Sequence, residues 1–300
     1  MIILYDGIIY ACVLAVLCVG LTLTYKITRV PNFAHVSFAI LGMYVALVAI
    51  QIFDANPYTA LPFAFAASGA LSLFLYYGII RVLQNKKSSY LSVIIATLAF
   101  DIFMIGVLNI IADYITNEHQ ITSRDFTLRS FDYIIYDTPM IFIASIVILI
   151  VLVVGLYYLL YKTNFGIRMR AAIEDRELAS IHGINTNKIF CISWFLSGGL
   201  GGIAGVLMAL WFQGDPSLAA YMLPSVFAGS IVGGFTSIYG AIIGGLIIGI
   251  SEIIGTNILA DVFGYWITPY RPLIPFLFII LTLLLSPKGI SEIITKVRER

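Results

Sequence analysis

The stretch Pro216–Ser251, PSLAAYMLPSVFAGSIVGGFTSIYGAIIGGLIIGIS, contains 36 residues and no charged side chain. As a single helix it would be about 54 Å long, far longer than the roughly 30 Å hydrocarbon core of a bilayer. Near its middle lies a glycine-rich and polar segment of the kind that breaks a helix, Gly233–Gly240. The stretch is therefore predicted to enter the membrane and return to the same side as two half-helices.

A helix break at membrane depth also suggests which residues could line a translocation path. Irregular backbone survives there only where protein or a water-filled path satisfies its polar groups. Gly233, Gly234, Thr236 and Ser237 are therefore candidates for lining a translocation path. The alternative is that these glycines only allow neighbouring helices to pack closely.

The composition of the whole chain is that of an integral membrane protein. Of its 300 residues, 60% are hydrophobic and 11% are charged, whereas a soluble domain has about 25% charged residues. These values exclude a soluble globular enzyme. The net charge of +1 argues against nucleic-acid binding, which needs a concentrated basic face.

Eight apolar runs divide the chain, and one of them is interrupted by Asp101. Because the period-2 alternation of a β-barrel is absent, we predict an all-α, polytopic transmembrane helical bundle forming a single domain over residues 1–300. It has about eight membrane segments, one of them broken or re-entrant. The runs are Gly7–Tyr25, Val30–Phe53, Ala55–Ile80, Ser88–Ala112, Thr138–Tyr161, Ile189–Gly214, Pro216–Ser251 and Pro272–Pro287.

The basic residues predict the orientation of the bundle. The loop Asp113–Asp137 holds five acidic and two basic residues, whereas 14 of the 17 Lys and Arg residues lie in four other segments, Lys26–Pro31, Arg81–Ser89, Lys162–Lys188 and Lys288–Arg300. By the positive-inside rule these four segments are cytoplasmic. We therefore expect a multi-pass protein of the cell membrane with its N-terminus outside and its C-terminus in the cytoplasm. An even number of crossings must then follow Lys188, so Pro216–Ser251 is expected to return to the side from which it enters.

The sequence offers no catalytic or metal site. It contains no G-x-x-x-x-G-K-[ST] phosphate loop, so a protein that uses ATP would need a partner to bind it. The three cysteines, Cys12, Cys18 and Cys191, lie in apolar stretches without a nearby histidine cluster. Neither a cofactor nor an enzymatic activity is expected.

Asp101 is the charged residue within a predicted span. An Asp at a helix centre costs roughly 2.5–3.5 kcal/mol on insertion scales, so it should face the interior of the bundle. It is either a proton or substrate relay or a hydrogen-bonded carboxyl that serves the structure.

The loop Lys162–Lys188 carries the most informative polar pattern. Asp175 is placed to cap a short helix, and Gly183 is placed to take the left-handed conformation just past its end. Leu178 and Ile181 lie on one face of that helix. Such a helix fits a cleft in a partner protein, and the alternative is a helix lying on the lipid surface.

The same loop resembles the coupling loop of ABC importer permeases. Glu177–Gly183 is similar to their E-A-A-x-x-x-G pattern, with Leu178 in its second position. The branched-chain amino acid permeases are more similar still, through the pattern T-x-F-G-x-x-x-R-A-x-x-E-D-x-x-x-A-x-x-x-G-I-N. The matching residues are Thr163, Phe165, Gly166, Arg170, Ala171, Glu174, Asp175, Ala179, Gly183, Ile184 and Asn185.

Further matches to the branched-chain amino acid permeases follow in order along the chain. Gly20–Tyr25 and Arg29–His35 resemble their G-L-x-L-x-Y and R-V-x-N-F-A-H, and Leu41–Ala46 resembles L-G-A-Y-x-A. The glycine-rich segments fit as well, and Ser286–Ile290 resembles the closing R-P-x-G-L. Together these motifs are specific for the family.

The resemblance implies the smaller of two permease subunits in an ATP-driven importer. A second homologous permease would share the path, two ATP-binding-cassette subunits would hydrolyse ATP, and an extracellular binding protein would deliver the substrate. The residues implied to couple the permease to the ATPase are Arg170, Glu174, Asp175, Glu177, Ala179 and Gly183. Asn32, His35 and Gly42, from the matching motifs, join Asp101 and the break as candidates for the path.

Three alternatives remain open at the level of the sequence. Urea and short-amide importers share most of these motifs. The resemblance therefore implies a branched-chain or related amino acid as the substrate, and the alternative within the same class is urea or a short amide. A proton-coupled secondary transporter or channel would use Asp101 as its ion site. A structural or assembly subunit would have no pore.

Overall fold

The computed structural model describes residues 2–135, 137–286 and 289–290. It confirms the prediction of an all-α helical bundle. The basic tail predicted at Lys288–Arg300 lies outside the described residues apart from positions 289 and 290, as does part of the closing motif.

Twelve α-helices are present in the described part of the chain. Short elements connect several of them: a π-helical turn (Tyr76–Ile80) joins α3 to α4, and β1 (Ile134–Ile135) pairs antiparallel with β2 (Thr138–Pro139). The helices are α1 (Ile2–Thr28), α2 (His35–Gln51), α3 (Ala60–Leu75), α4 (Arg81–Asn85), α5 (Tyr90–His119), α6 (Met140–Lys162), α7 (Asn164–Glu174), α8 (Arg176–Ile181), α9 (Thr186–Ala209), α10 (Leu218–Gly233), α11 (Ile238–Phe263) and α12 (Leu273–Leu285).

Six helical segments of the described chain are long and apolar enough to cross a membrane: Ile3–Thr28, Pro57–Asn85, Tyr90–His119, Met140–Lys162, Thr186–Ala209 and Ile238–Phe263. Three shorter apolar helices accompany them, α2, α10 and α12. The eight predicted runs correspond to these nine segments because Pro216–Ser251 contributes to two of them. The number of apolar segments thus follows the prediction.

The core of the bundle is built around α1, whose side chains are almost all buried. This helix packs against α9, α10 and α11, while α2 and α3 pack against α9. Glycines permit the close approach of α2 and α9, since a Cβ on Gly42 would overlap the backbone of Gly202. Helices α5, α6 and α12 lie at the periphery and expose large apolar side chains, as a lipid-facing surface requires.

The two ends of the bundle differ in charge. At the acidic end, the Trp211 indole N–H donates to Asp6 Oδ1 at 2.6 Å, and Phe126 of the acidic loop pairs with Gly214. At the basic end, the rings of Tyr25 and Phe235 lie 4.5 Å apart next to Lys26. The acidic loop and the basic residue Lys26 therefore lie at opposite ends of the bundle.

The position of the helix break corrects the expectation from the sequence. The segment between α10 and α11 lies at the basic end, beside Tyr25 of α1, and not at membrane depth. Helix α11 is a full span of 26 residues rather than a half-helix. The run of uncharged residues was misleading because it ends at Glu252, which is buried within α11 instead of marking its end.

The alternation of the last four helices agrees with the predicted even number of crossings. Helix α9 begins after the basic loop and ends at Ala209, near the acidic end. Helices α10 and α11 run to the basic end and back. After α12, Gly289 lies against the backbone of Gly234, so the chain has returned to the basic end.

Candidate coupling helices and translocation path

The predicted short helix of the basic loop is present as α8, with the predicted ends. Asp175 Oδ1 accepts hydrogen bonds from the backbone N–H groups of Glu177 and Leu178, each at 2.9 Å. Such an N-cap is worth about 1 kcal/mol. Gly183 follows the helix with a φ of +78°, in the left-handed region. The local sequence therefore defines both ends of α8.

A second helix in the same loop, α7, was missed by the sequence analysis. Thr163 caps it by accepting a hydrogen bond from the Gly166 N–H at 3.4 Å. Gly166 then packs so tightly on Leu160 that a Cβ would overlap the Leu160 carbonyl oxygen. The sequence did contain a signal for α7. Thr163 lies three residues before Gly166, which is the spacing of a helix N-cap, and position 166 requires a small residue.

Helix α8 presents an apolar and acidic surface away from the bundle. The side chains of Leu178 and Ile181 are 52% and 81% exposed. Of the predicted coupling residues, Arg170, Glu174, Asp175, Glu177 and Gly183 are exposed, and Ala179 is buried against the bundle. An exposed apolar pair on a short, capped helix fits both interpretations of the sequence, a surface that docks into a partner and a helix that lies on lipid, so its coupling role stays a prediction.

Helix α7 connects α8 to the end of α6. The Arg170 guanidinium donates to the Leu160 carbonyl oxygen and lies 5.5 Å from the centre of the Tyr161 ring. Tyr161 in turn stacks on Tyr239 of α11, with the ring centres 6.1 Å apart. A continuous set of contacts thus leads from the loop helices to the beginning of α11.

A cavity of about 140 Å³ lies where these contacts meet. Its lining includes Arg170, one of the predicted coupling residues, together with Thr236 and Ser237 of the helix break. Lys26 of α1 lines it as well. The fold brings together two groups of residues that the sequence suggested separately.

The break itself is a tight turn between α10 and α11. Gly234 has a φ of +96°, which favours glycine, and Ser237 caps α11 by accepting from the Gly240 N–H at 3.1 Å. Gly233 lies against Gly240 in direct backbone contact. These contacts match the interpretation that the glycines allow close helix packing, and a role of Gly233, Gly234, Thr236 and Ser237 in lining a path stays a prediction.

Asn32, His35 and Gly42 are buried in the interior, between α1, α2 and α9. Asn32 Oδ1 accepts from the Ala34 N–H at 3.2 Å, and His35 Nδ1 lies 3.5 Å from Ser197 Oγ. Within the described chain, Asn32 Nδ2 and His35 Nε2 have no hydrogen-bond partner. Their role in a path stays a prediction.

Asp101 faces the interior, as predicted for a charged residue in a span. It is 8% exposed, and the hydroxyl of Ser37 donates to its Oδ1 at 2.5 Å. This bond ties α5 to α2. This hydrogen bond is what a structural carboxyl requires, and a relay role for Asp101 stays a prediction.

The sequence analysis missed a buried ion pair at the acidic end. Arg271 Nε donates to Glu252 Oε1 at 2.7 Å, and the Tyr10 hydroxyl lies 3.1 Å from both carboxylate oxygens of Glu252. Burial acts to lower the pKa of Arg271, but Tyr10 and Glu252 outweigh it and raise that pKa above its ordinary value. The sequence did contain a signal for this ion pair, because Arg271 is a basic residue that lies outside the four basic segments.

These features define a class of protein. The chain is a polytopic helical membrane protein that presents a capped helix at one end and links that helix by direct contacts to a turn between two core helices. This architecture defines the chain as a multi-pass helical membrane protein with an exposed helix in its basic loop.

Comparison with known proteins identifies the family. Residues 3–283 match the family described as branched-chain amino acid transport system / permease component. The probable branched-chain amino acid transport permease protein LivH of Methanocaldococcus jannaschii is 40% identical over 291 residues, 97% of this chain and 92% of that protein. The corresponding BraD protein of Pseudomonas aeruginosa is 28% identical over 301 residues, 96% and 94% of the two chains. The chain belongs to this permease family, as its motifs predicted.

One solved structure is similar in fold. PsaBC from Streptococcus pneumoniae, in complex with Fab, aligns with a TM-score of 0.52 and covers 96% of this chain and 93% of that chain. The sequence identity is 15%, so the likeness concerns the fold alone.

Proposed function

We propose that this chain is one of two permease subunits of an ATP-binding-cassette importer that takes up branched-chain amino acids. Its relatives carry that transport activity in their names, and the alternative of urea or short-amide import has no comparable support. The observation that carries the proposal is the exposed, capped helix α8 and its contacts through Arg170 to the break.

The proposed partners follow from this arrangement. Two ATPase subunits dock on the basic end, where Leu178 and Ile181 fill a cleft on one of them. A second homologous permease completes the path, and an extracellular binding protein delivers the amino acid to the acidic end. The acidic end and the N-terminus are therefore extracellular, and the basic end is cytoplasmic.

Coupling begins at α8 in this proposal. When the ATPase subunits close, they move α8, and α7 moves with it because Gly166 and Arg170 fix α7 on the end of α6. Tyr161 and Tyr239 pass the displacement to the turn between α10 and α11. Rocking of α10 and α11 then changes access to the path between the two permeases.

Uptake by the complete complex tests the proposed function. The two permeases and the ATPase are reconstituted in liposomes with ATP inside and the binding protein outside, and uptake of labelled leucine is measured. A complex with an inactive ATPase serves as the control. We expect uptake that requires both ATP and the binding protein, while uptake driven by a proton gradient without ATP would overturn the proposal.

A further inference from the structure

We propose that the cavity around Arg271, Glu252 and Tyr10 is a binding site for a zwitterionic amino acid on its way through the permease. This inference rests on the proposed function and names the site within this chain that recognises the substrate. The cavity has a volume of about 380 Å³, within the range of about 300–1,000 Å³ that is usual for small-molecule sites. It opens at the acidic end, where the substrate arrives.

Arg271 is arranged to bind a carboxylate. Its Nε is held by Glu252 at 2.7 Å, and the guanidinium carbon lies 4.4 Å from the centre of the Tyr10 ring. The Tyr10 hydroxyl also interacts with this guanidinium, and the Arg271 side chain is 30% exposed. Because the guanidinium has five N–H donors and Glu252 uses only Nε–H, donors remain for a carboxylate bound through two parallel hydrogen bonds.

The charge of the site favours a zwitterion over a simple anion. Glu252 is 3% exposed, so the Glu252 and Arg271 pair forms a buried unit with no net charge. Binding a lone carboxylate would leave one uncompensated negative charge in a poorly solvated place, which is costly. An amino acid adds an ammonium group together with its carboxylate, and Glu252 Oε2, held only by the Tyr10 hydroxyl, is placed to accept from it.

The remaining walls suit an aliphatic side chain. Apolar residues also line the cavity: Met208, Phe212, Leu218 and Met222. Methionine side chains adapt to ligands of different shape, which fits a site that passes several branched-chain amino acids. Urea or a short amide has neither a carboxylate for Arg271 nor an alkyl group for these walls.

Protection of an introduced cysteine tests the site directly. Gln213 is exposed and lines the cavity, and the three native cysteines are buried, so Gln213→Cys adds the reactive thiol. The complete complex carrying this change is labelled in nanodiscs with a water-soluble maleimide. We expect L-leucine at about twice its Kd to slow labelling about threefold, because labelling falls as 1 + [L]/Kd. Leucinamide, which lacks the carboxylate, and 4-methylpentanoate, which lacks the ammonium group, should not slow it.

Two control variants separate the binding role from a structural one. Thr122→Cys, at an exposed position of the acidic loop outside the cavity lining, should label at the same rate with and without leucine. Adding Arg271→Met and Glu252→Gln to Gln213→Cys should abolish protection in a complex that still elutes as one assembled species, because this exchange removes both charges together. Protection that survives the exchange, or that all three compounds give equally, would overturn the proposal.

The result is independent of the outcome for transport. If the complex takes up leucine with ATP but leucine does not protect Gln213→Cys, the site is wrong and the proposed function stands. If leucine protects the cysteine but ATP drives no uptake, the site stands and the importer function fails.

Discussion

The backbones of Gly233 and Gly240 are in direct contact, so that neither position has room for a side chain. A Cβ on either glycine would overlap the carbonyl oxygen of its counterpart. This mutual contact closes the turn between α10 and α11 and places Ser237 where it caps α11. The turn is therefore fixed by backbone packing, and movement of its surroundings displaces α10 and α11 together.

The first prediction concerns this glycine contact. Gly240→Ala should destabilise the bundle by about 1–3 kcal/mol, the usual effect of overpacking a tight core, and should reduce uptake. Gly106→Ala is the matched control because nothing lies within 4 Å of its Cβ position in α5. The melting temperature of the purified complex, followed by fluorescence in detergent, measures the difference. Equal melting temperatures for the two variants would contradict the close contact.

The second prediction concerns the end of α8. Gly183 has a φ of +78° and open space around its Cβ position, so any loss on substitution comes from backbone strain and not from a clash. Gly183→Val should force the backbone out of the left-handed region, because that region costs an L-residue roughly 1–2 kcal/mol or more. ATP-driven uptake should fall sharply while the melting temperature of the complex changes little.

Gly183→Asn is the control for this experiment. Asparagine adopts the left-handed conformation far more readily than valine, so this variant should keep most of the uptake. If valine and asparagine give the same uptake, the conformation at position 183 is not needed for coupling.

The third prediction concerns the docking surface of α8. Ile181→Glu places a charge in an exposed apolar position that is expected to enter a cleft of the ATPase. It should release the ATPase from the permease pair during affinity purification, because burying an unpaired charge is costly. Ser180→Glu adds the same charge to a neighbouring exposed position and should leave the ATPase bound. Equal recovery of the ATPase with both variants would place the docking surface elsewhere.

Local features of the fold were predictable from sequence. The ends of α8 follow from Asp175 and Gly183 because a cap and a left-handed glycine act within a few residues. The apolar segments follow in the same way, because a span needs only a sufficient length of hydrophobic residues. The break at Gly233 was predicted as a break for the same local reason.

Features that depend on distant contacts were not predictable in this way. Glu252 looked like the end of a span because a single sequence does not show that Arg271 and Tyr10 satisfy its charge from two other elements. Its misinterpretation moved the break from the basic end to the middle of the membrane. The cavity shared by Arg170 and Ser237 was missed for the same reason, since the two residues are brought together only by packing.

The last prediction separates an ATP-driven permease from a proton-coupled transporter. Asp101→Asn should leave ATP-driven leucine uptake largely intact, because the asparagine carbonyl oxygen still accepts the Ser37 hydroxyl and the variant removes a charge that costs roughly 2.5–3.5 kcal/mol in a span. Ser37→Ala should be the more damaging change, since it removes the donor from a buried carboxyl at a cost of about 1–3 kcal/mol. Uptake into liposomes, with and without a protonophore, and the melting temperatures of both variants measure these effects. In a proton-coupled transporter the order is reversed: Asp101→Asn abolishes uptake, the protonophore stops transport by the unmodified protein, and Ser37→Ala is the milder change.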